Sequence, residues 1–135
     1  MNTQELARFG HSLQELYESY DCYRVLQEQE HALLSRRAQI NEWNQVVRKK
    51  NIALTAAKNM EDSMAVMFKN WTALGGSRLG APYVEVRSQL AKLQSLLMRI
   101  LNCDRMNESL LYNQGYIQSI SAYRGAVASV VTDLK

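Results

Sequence analysis

The chain has 135 residues, enough for one domain, and 47% of them are apolar. Only two Phe and two Trp are present, so the composition favours a narrow helical core over a thick globular one. The 16 basic and 13 acidic residues give a formal net charge of +3, which is too balanced to indicate nucleic-acid binding. The two cysteines, Cys22 and Cys103, form no pair motif and predict a reducing, cytoplasmic compartment.

The sequence also argues against a membrane-spanning helix and against a secretory signal. No apolar run reaches the roughly 20 residues that a membrane-spanning helix needs. The first residues are amphipathic, carry acids at Glu5 and Glu15, and lack the basic-then-apolar order of a secretory signal. We therefore expect a cytoplasmic protein without membrane insertion.

A long first helix, over about residues 3–74, is predicted because this stretch has no Pro and only one Gly, Gly10. Thr3 is a suitable N-cap residue, and Glu5 suits the first turn. Apolar residues then recur at alternating spacings of three and four, as in the contact stripe of a coiled coil. This N-terminal stripe consists of Leu6, Phe9, Leu13, Leu16, Tyr20 and Tyr23.

The middle of the predicted helix has a weaker pattern. A row of apolar residues continues at sevenfold spacing, but the positions four residues beyond each member are polar, which predicts a looser contact. The row is Leu33, Ile40, Val47 and Leu54. We interpret acids such as Glu28 and Glu30, and a basic belt that includes Arg37 and Lys50, as solvated helix faces.

Residues 75–82 predict the loop of a helical hairpin, because Gly75, Gly76 and Gly80 favour a helix end and Pro82 favours a new start. A second helix is predicted over about residues 83–121, with Asp104 and Asn107 as polar members of its apolar stripe. The tail, residues 122–135, is predicted to be a short helix or a flexible segment. The predicted fold is therefore an all-α, long antiparallel helical hairpin in a single domain.

The two predicted helices differ in length, at about 105 Å and 60 Å for 1.5 Å per residue. Paired antiparallel across the loop, the second helix would leave the N-terminal stripe without a partner, and apolar stripes rarely stay bare. Three outcomes remain open: the tail folds back onto the stripe, the long helix breaks and doubles back, or another chain covers it. The third outcome would make this a protein that works by binding another protein.

Sites for chemistry are scarce in the sequence. The soft metal ligands His11, Cys22, His31 and Cys103 show no metal-binding spacing, and no phosphate-binding loop is present. A Glu-x-x-His motif occurs once, ending at His31, whereas helical di-iron sites need two such motifs and further glutamates. We expect no catalytic residue, no metal and no cofactor, and thus no enzyme.

Four stretches of the predicted helices follow a pattern shared with a known family. They are residues 13–20, 29–37 and 39–44 and, more specifically, residues 104–114, which contain Asn107, Leu110 and Leu111. In these stretches the sequence resembles the FlgN family of flagellar export chaperones. The first three follow the family's general rhythm, although Glu42-Trp43 departs from its usual Glu-Lys, and residues 104–114 are similar to its Asn-x-x-Asn-x-x-Leu-Leu-type stretch. A buried Asn in a helical seam fixes register, so we assign that structural role to Asn107.

The resemblance implies a chaperone that binds hook–filament junction proteins, keeps them monomeric and delivers them to the flagellar secretion apparatus. An amphipathic segment of the client would add its apolar face to an incomplete helical seam. The expected client contacts are Leu110, Leu111, Tyr116, Ile117 and Ile120. The family also has a C-terminal Tyr that is followed closely by Gly and is implicated in docking to the export gate. Tyr123 matches that Tyr. The alternative is a self-assembling structural coiled coil or helical adaptor without a client, and a homo-oligomer is left open in either case.

Overall fold

The computed structural model describes residues 1–74 and 78–113. They form four helices, α1 (Thr3–Ser35), α2 (Ile40–Ser63), α3 (Ala65–Ala73) and α4 (Ala81–Asn113). These ranges contain no strand, which confirms the predicted all-α class. Helix α1 packs along both α2 and α4, whereas α2 and α4 touch each other far less. The helices run up (α1), down (α2 and α3) and up (α4), so the turn from α3 into α4 is the predicted hairpin reversal.

The prediction of one helix over residues 3–74 is wrong, because the chain turns back at residues 36–39. Helix α1 ends in a Schellman motif, in which the Ala38 N–H donates to the Leu33 carbonyl and the Arg37 N–H to the Leu34 carbonyl. The left-handed position of this motif usually holds Gly, but here it is Arg37, with φ of 53°. The turn therefore carries none of the Gly or Pro signals that mark a helix end in a sequence.

The turn explains how the N-terminal stripe is covered. All six stripe residues are at most 2% exposed, in one core with residues of α2 and α4 and with Met64. Phe9 contacts Phe68 edge-on at 5.3 Å between ring centroids and Trp71 at 6.0 Å. Of the three outcomes left open by the sequence, the long helix breaks and doubles back. The N-terminal stripe therefore gives no reason to invoke a second chain.

Helix α2 buries only part of the predicted sevenfold row. Ile40 is 50% exposed, because the break after Ser35 interrupts the row that began at Leu33, whereas Leu54 is buried. The buried residues of α2 are Trp43, Lys50, Leu54, Ala57 and Glu61. Helices α2 and α3 are separated only by Met64, which is itself 2% exposed, so residues 40–73 form a nearly continuous arm.

The first and last described helices, α1 and α4, both begin with local signals. Asn2, rather than the expected Thr3, caps α1, since its Oδ1 accepts a hydrogen bond from the Glu5 N–H at 2.8 Å. Gly80 precedes α4 with φ of +121°, a conformation that favours glycine. Residues 75–77, the predicted end of the second helix at residue 121 and the tail at 122–135 lie outside the described residues. In the ranges that are described, no helix combines the length and apolarity that crossing a membrane requires.

Candidate functional site

A layer of polar side chains crosses the interior of the bundle near the end where α1 stops and α2 begins. Five of them define what we call the polar cluster: Gln27, Glu30, Lys50, Asp104 and Asn107. Each is at most 3% exposed, and together they come from α1, α2 and α4. Buried polar groups are costly unless they are hydrogen-bonded, so the partners of each one decide what the cluster does.

Glu30 is the centre of the polar cluster. Its Oε1 accepts hydrogen bonds from Lys50 Nζ at 2.7 Å and from Asn107 Nδ2 at 2.9 Å, and its Oε2 accepts one from Trp43 Nε1 at 3.0 Å. One carboxylate on α1 thus receives donors from both neighbouring helices. Lys50 Nζ also lies 5.4 Å from the centroid of the Tyr23 ring, a cation–π distance.

Asn107 connects α4 to α1. Its Nδ2 also donates to the Gln27 carbonyl at 3.1 Å, and its Oδ1 lies 2.8 Å from His31 Nδ1. Gln27 in turn donates from Nε2 to the Ile100 carbonyl at 2.8 Å. A shift of α4 along α1 would break these bonds inside the core, so their geometry suits the register role that we assigned to Asn107.

The electrostatic balance of the polar cluster is uneven, with two carboxylates and one ammonium group. Burial lowers the pKa of Lys50, although the nearby Glu30 and Asp104 oppose that shift. Burial raises the pKa of Asp104 to about 7, with Lys50 opposing the shift and Glu108 and Glu30 adding to it. The Oδ1 atom of Asp104 is buried without a hydrogen-bond partner.

Beyond the polar cluster lies a second, small apolar cluster, which we call the distal cluster. Leu34, Trp43 and Leu111 are its buried residues, and Val47 and Leu110 pack against them partly exposed. It is separate from the larger core, which extends from Leu6 to Ile100. The distal cluster closes the end of the bundle where the described part of α4 stops.

The expected client contacts fall partly on this end. Leu111 is fully buried against the chain's own helices, so it is not accessible in this conformation, whereas Leu110 is half-buried at the edge. The remaining expected client contacts, Tyr116, Ile117 and Ile120, and the expected docking residue, Tyr123, lie outside the described residues. Two exposed side chains nearby were not among the expected contacts, Met106 at 55% and Tyr112 at 64% exposure.

Two members of the polar cluster were wrongly assigned to solvated faces from the sequence. Glu30 follows Tyr23 by seven residues and thus continues the N-terminal stripe, and Lys50 follows Trp43 by seven. Extending those stripes through polar residues would have found both. Glu28, by contrast, is exposed and accepts from Arg24 and Arg99.

The described ranges, 1–74 and 78–113, hold no group of three or more His, Cys, Asp or Glu residues suited to a metal ion. His31 of the Glu-x-x-His motif instead shares a hydrogen bond with Asn107. The polar cluster is enclosed and fixes helices relative to one another, and the distal cluster beside it is the part of the site that another molecule could reach through Leu110.

Comparisons with protein-family models, with curated proteins and with solved structures found no match to this chain.

Proposed function

We propose that the protein is a cytoplasmic export chaperone for flagellar hook–filament junction proteins, and that it holds its client at the distal cluster. The observation that carries the proposal is the division of the interior: the polar cluster separates a small apolar end from the main core. The residues of the FlgN-like stretch, Asn107, Leu110 and Leu111, belong to this division and to the small end beside it.

The distal cluster is suited to accept an apolar helix. It has three buried side chains, so repacking them disturbs few contacts and leaves the larger core in place. Leu110 already lies half-buried at its edge, and the exposed Met106, four residues earlier on the same helix, extends the apolar surface beside it. Met is common in adaptable protein-binding surfaces.

The end of the bundle also limits what the described helices can cover. Asn107 bonds to Gln27 and Glu30, and Leu111 packs on Leu34, so α4 reaches the last turn of α1 at Leu111. Apolar residues continue in the sequence at Tyr116, Ile117 and Ile120. In our proposal, the client's amphipathic segment and these residues complete one helical contact at this end.

The proposal is tested by measuring, with calorimetry, the binding of the chain to purified hook–filament junction proteins. We expect a complex with the unmodified chain, and a loss of affinity of at least tenfold for Leu110→Asp because the substitution puts a charge at the contact. Leu101→Asp is the matched control, since Leu101 is a half-buried leucine of the same helix that packs on the larger core. Circular dichroism verifies that both variants remain helical.

The proposal fails if no complex forms at micromolar concentrations of both proteins. It also fails if Leu110→Asp binds as tightly as the unmodified chain, or if Leu101→Asp weakens binding equally while both variants keep their helical content.

A further inference from the structure

The charges of the polar cluster leave one carboxylate poorly satisfied. Lys50 Nζ lies 2.7 Å from Glu30 Oε1, so the single ammonium group of the cluster is held by Glu30. Asp104 is 3% exposed, and its Oδ1 has no hydrogen-bond donor. An ionised carboxylate in such a position is destabilising, and it becomes neutral when it takes up a proton.

We propose that Asp104 is a proton-operated switch for the distal end of the bundle. With Asp104 protonated, the last turns of α4 stay closed on α1 and α2. With Asp104 ionised, these turns separate from the bundle and uncover the distal cluster.

The groups around Asp104 determine the sign of this effect. Glu30 of α1 and Glu108 of α4 disfavour its ionised form, whereas Lys50 of α2 and Arg105 of α4 favour it. Lys50 is already engaged by Glu30, and Arg105 is exposed to solvent, so burial remains the largest influence. His31 and Cys103 are the other titratable groups in or beside this layer, and His31 reaches it through Asn107.

The opening is expected to be local because few contacts hold the end of α4. Beyond Ile100, the buried residues of the described part of α4 are Asp104, Asn107 and Leu111. Separation of these turns breaks the bonds of one asparagine and the packing of one leucine, while Val86, Leu93 and the rest of the larger core remain buried. Partial openings of this kind cost less than global unfolding.

The direction of the pH effect follows from proton linkage. The closed form has an Asp104 pKa of about 7, above the ordinary value of 3.8 that an exposed side chain would regain on opening. The closed form therefore binds the proton more tightly and is fully favoured below about pH 4. The equilibrium ratio of the open to the closed form then rises by at most about tenfold per pH unit up to about pH 7. Above about pH 7 this ratio levels off.

Amide hydrogen exchange of the free chain at several pH values between 5 and 8 tests the proposal, after correction for the intrinsic exchange rate at each pH. We expect protection of residues 103–111 to fall by tenfold or more from pH 5 to pH 7.5, and protection of residues 86–93 to stay constant. In Asp104→Asn, which keeps the shape and removes the titration, the distal protection should not change with pH. Glu108→Gln should retain the fall and move its midpoint to lower pH, because it removes a charge that disfavours ionisation.

Four results would overturn the proposal: constant distal protection in the unmodified chain, an equal fall in all helices, a fall that persists in Asp104→Asn, or a fall that disappears in His31→Gln. If Asp104→Asn does not fold, the shift in Glu108→Gln decides, and an unmoved midpoint counts against the switch. The switch is a property of the free chain, so its failure leaves client binding by the distal cluster as a separate question.

Discussion

The ion pair inside the polar cluster gives the sharpest stability prediction. Lys50→Met removes the ammonium group that donates to Glu30 and leaves a fully buried carboxylate, to which Trp43 and Asn107 still donate. Removing one partner of a buried ion pair typically costs about 3–5 kcal/mol, because the remaining charge stays in the low-dielectric interior. We expect Lys50→Met to lower the free energy of unfolding at pH 7 by that amount.

A double-mutant cycle separates the ion pair from general damage to the core. Glu30→Gln keeps an oxygen that can accept a hydrogen bond and removes the charge, so combining it with Lys50→Met leaves no unpaired buried charge at this pair. The double variant should be about 2 kcal/mol more stable than Lys50→Met alone. Subtracting the effects of both single variants from that of the double variant should give a coupling free energy of about 0.5–3 kcal/mol, as found for contacting residues. Urea unfolding followed by far-UV circular dichroism measures each free energy.

Lys49→Met is the matched control, because Lys49 is the exposed neighbour of Lys50 on the same helix. Its effect should stay within about 0.5 kcal/mol, as expected for a surface substitution. A cost of less than about 1 kcal/mol for Lys50→Met, or a cycle without coupling between positions 30 and 50, would show that the buried ion pair does not stabilise the fold.

Three further substitutions have clear expected outcomes in the same urea assay. Tyr20→Phe removes the hydroxyl that donates to Glu61 Oε2 at 2.9 Å, and it should cost about 1–3 kcal/mol because the Glu61 carboxylate is left buried. Phe9→Ala empties a fully buried site between two aromatic rings and should cost about 3–5 kcal/mol. Arg37→Gly should stabilise the chain by about 0.5–1 kcal/mol since it relieves the left-handed backbone, whereas Arg37→Ala, which keeps a Cβ, should bring no such gain. Stabilities of Tyr20→Phe or Phe9→Ala within 0.5 kcal/mol of the unmodified chain, or equal effects of the two Arg37 variants, would contradict these expectations.

The sequence contains enough information for the fold class and for the face that α1 buries. Spacings of three and four residues identified the N-terminal stripe from Leu6 to Tyr23, and all of it is buried. The turn at residues 36–39 was missed because its left-handed residue is Arg37, which pays a local conformational cost that tertiary packing offsets. Without that turn, the sequence left three partners open for the stripe: the tail, the doubled-back helix or another chain.

The burial of the charged residues in the polar cluster could not be predicted from the sequence pattern, for a different reason. Glu30 and Lys50 occupy stripe positions, but side chains of this type are almost always exposed unless paired, so the sequence favoured a solvated face. Their burial depends on a partner that lies 20 positions away and that meets Glu30 only after the chain has reversed. Asn107 was easier to place, because an amide within an apolar stripe is a known device for fixing helix register.

The central position of α1 has a consequence for how the chain assembles. Helix α1 contacts both α2 and α4, and the turn that joins it to α2 spans only residues 36–39. Closing so short a connection costs little chain entropy. Bringing α4 against α1 costs more, because α2, α3 and the segment before residue 81 lie between them in the chain. We therefore expect the α1–α2 pair to form first and α4 to dock last, and we expect the far turns of α4 to separate first when the molecule begins to unfold.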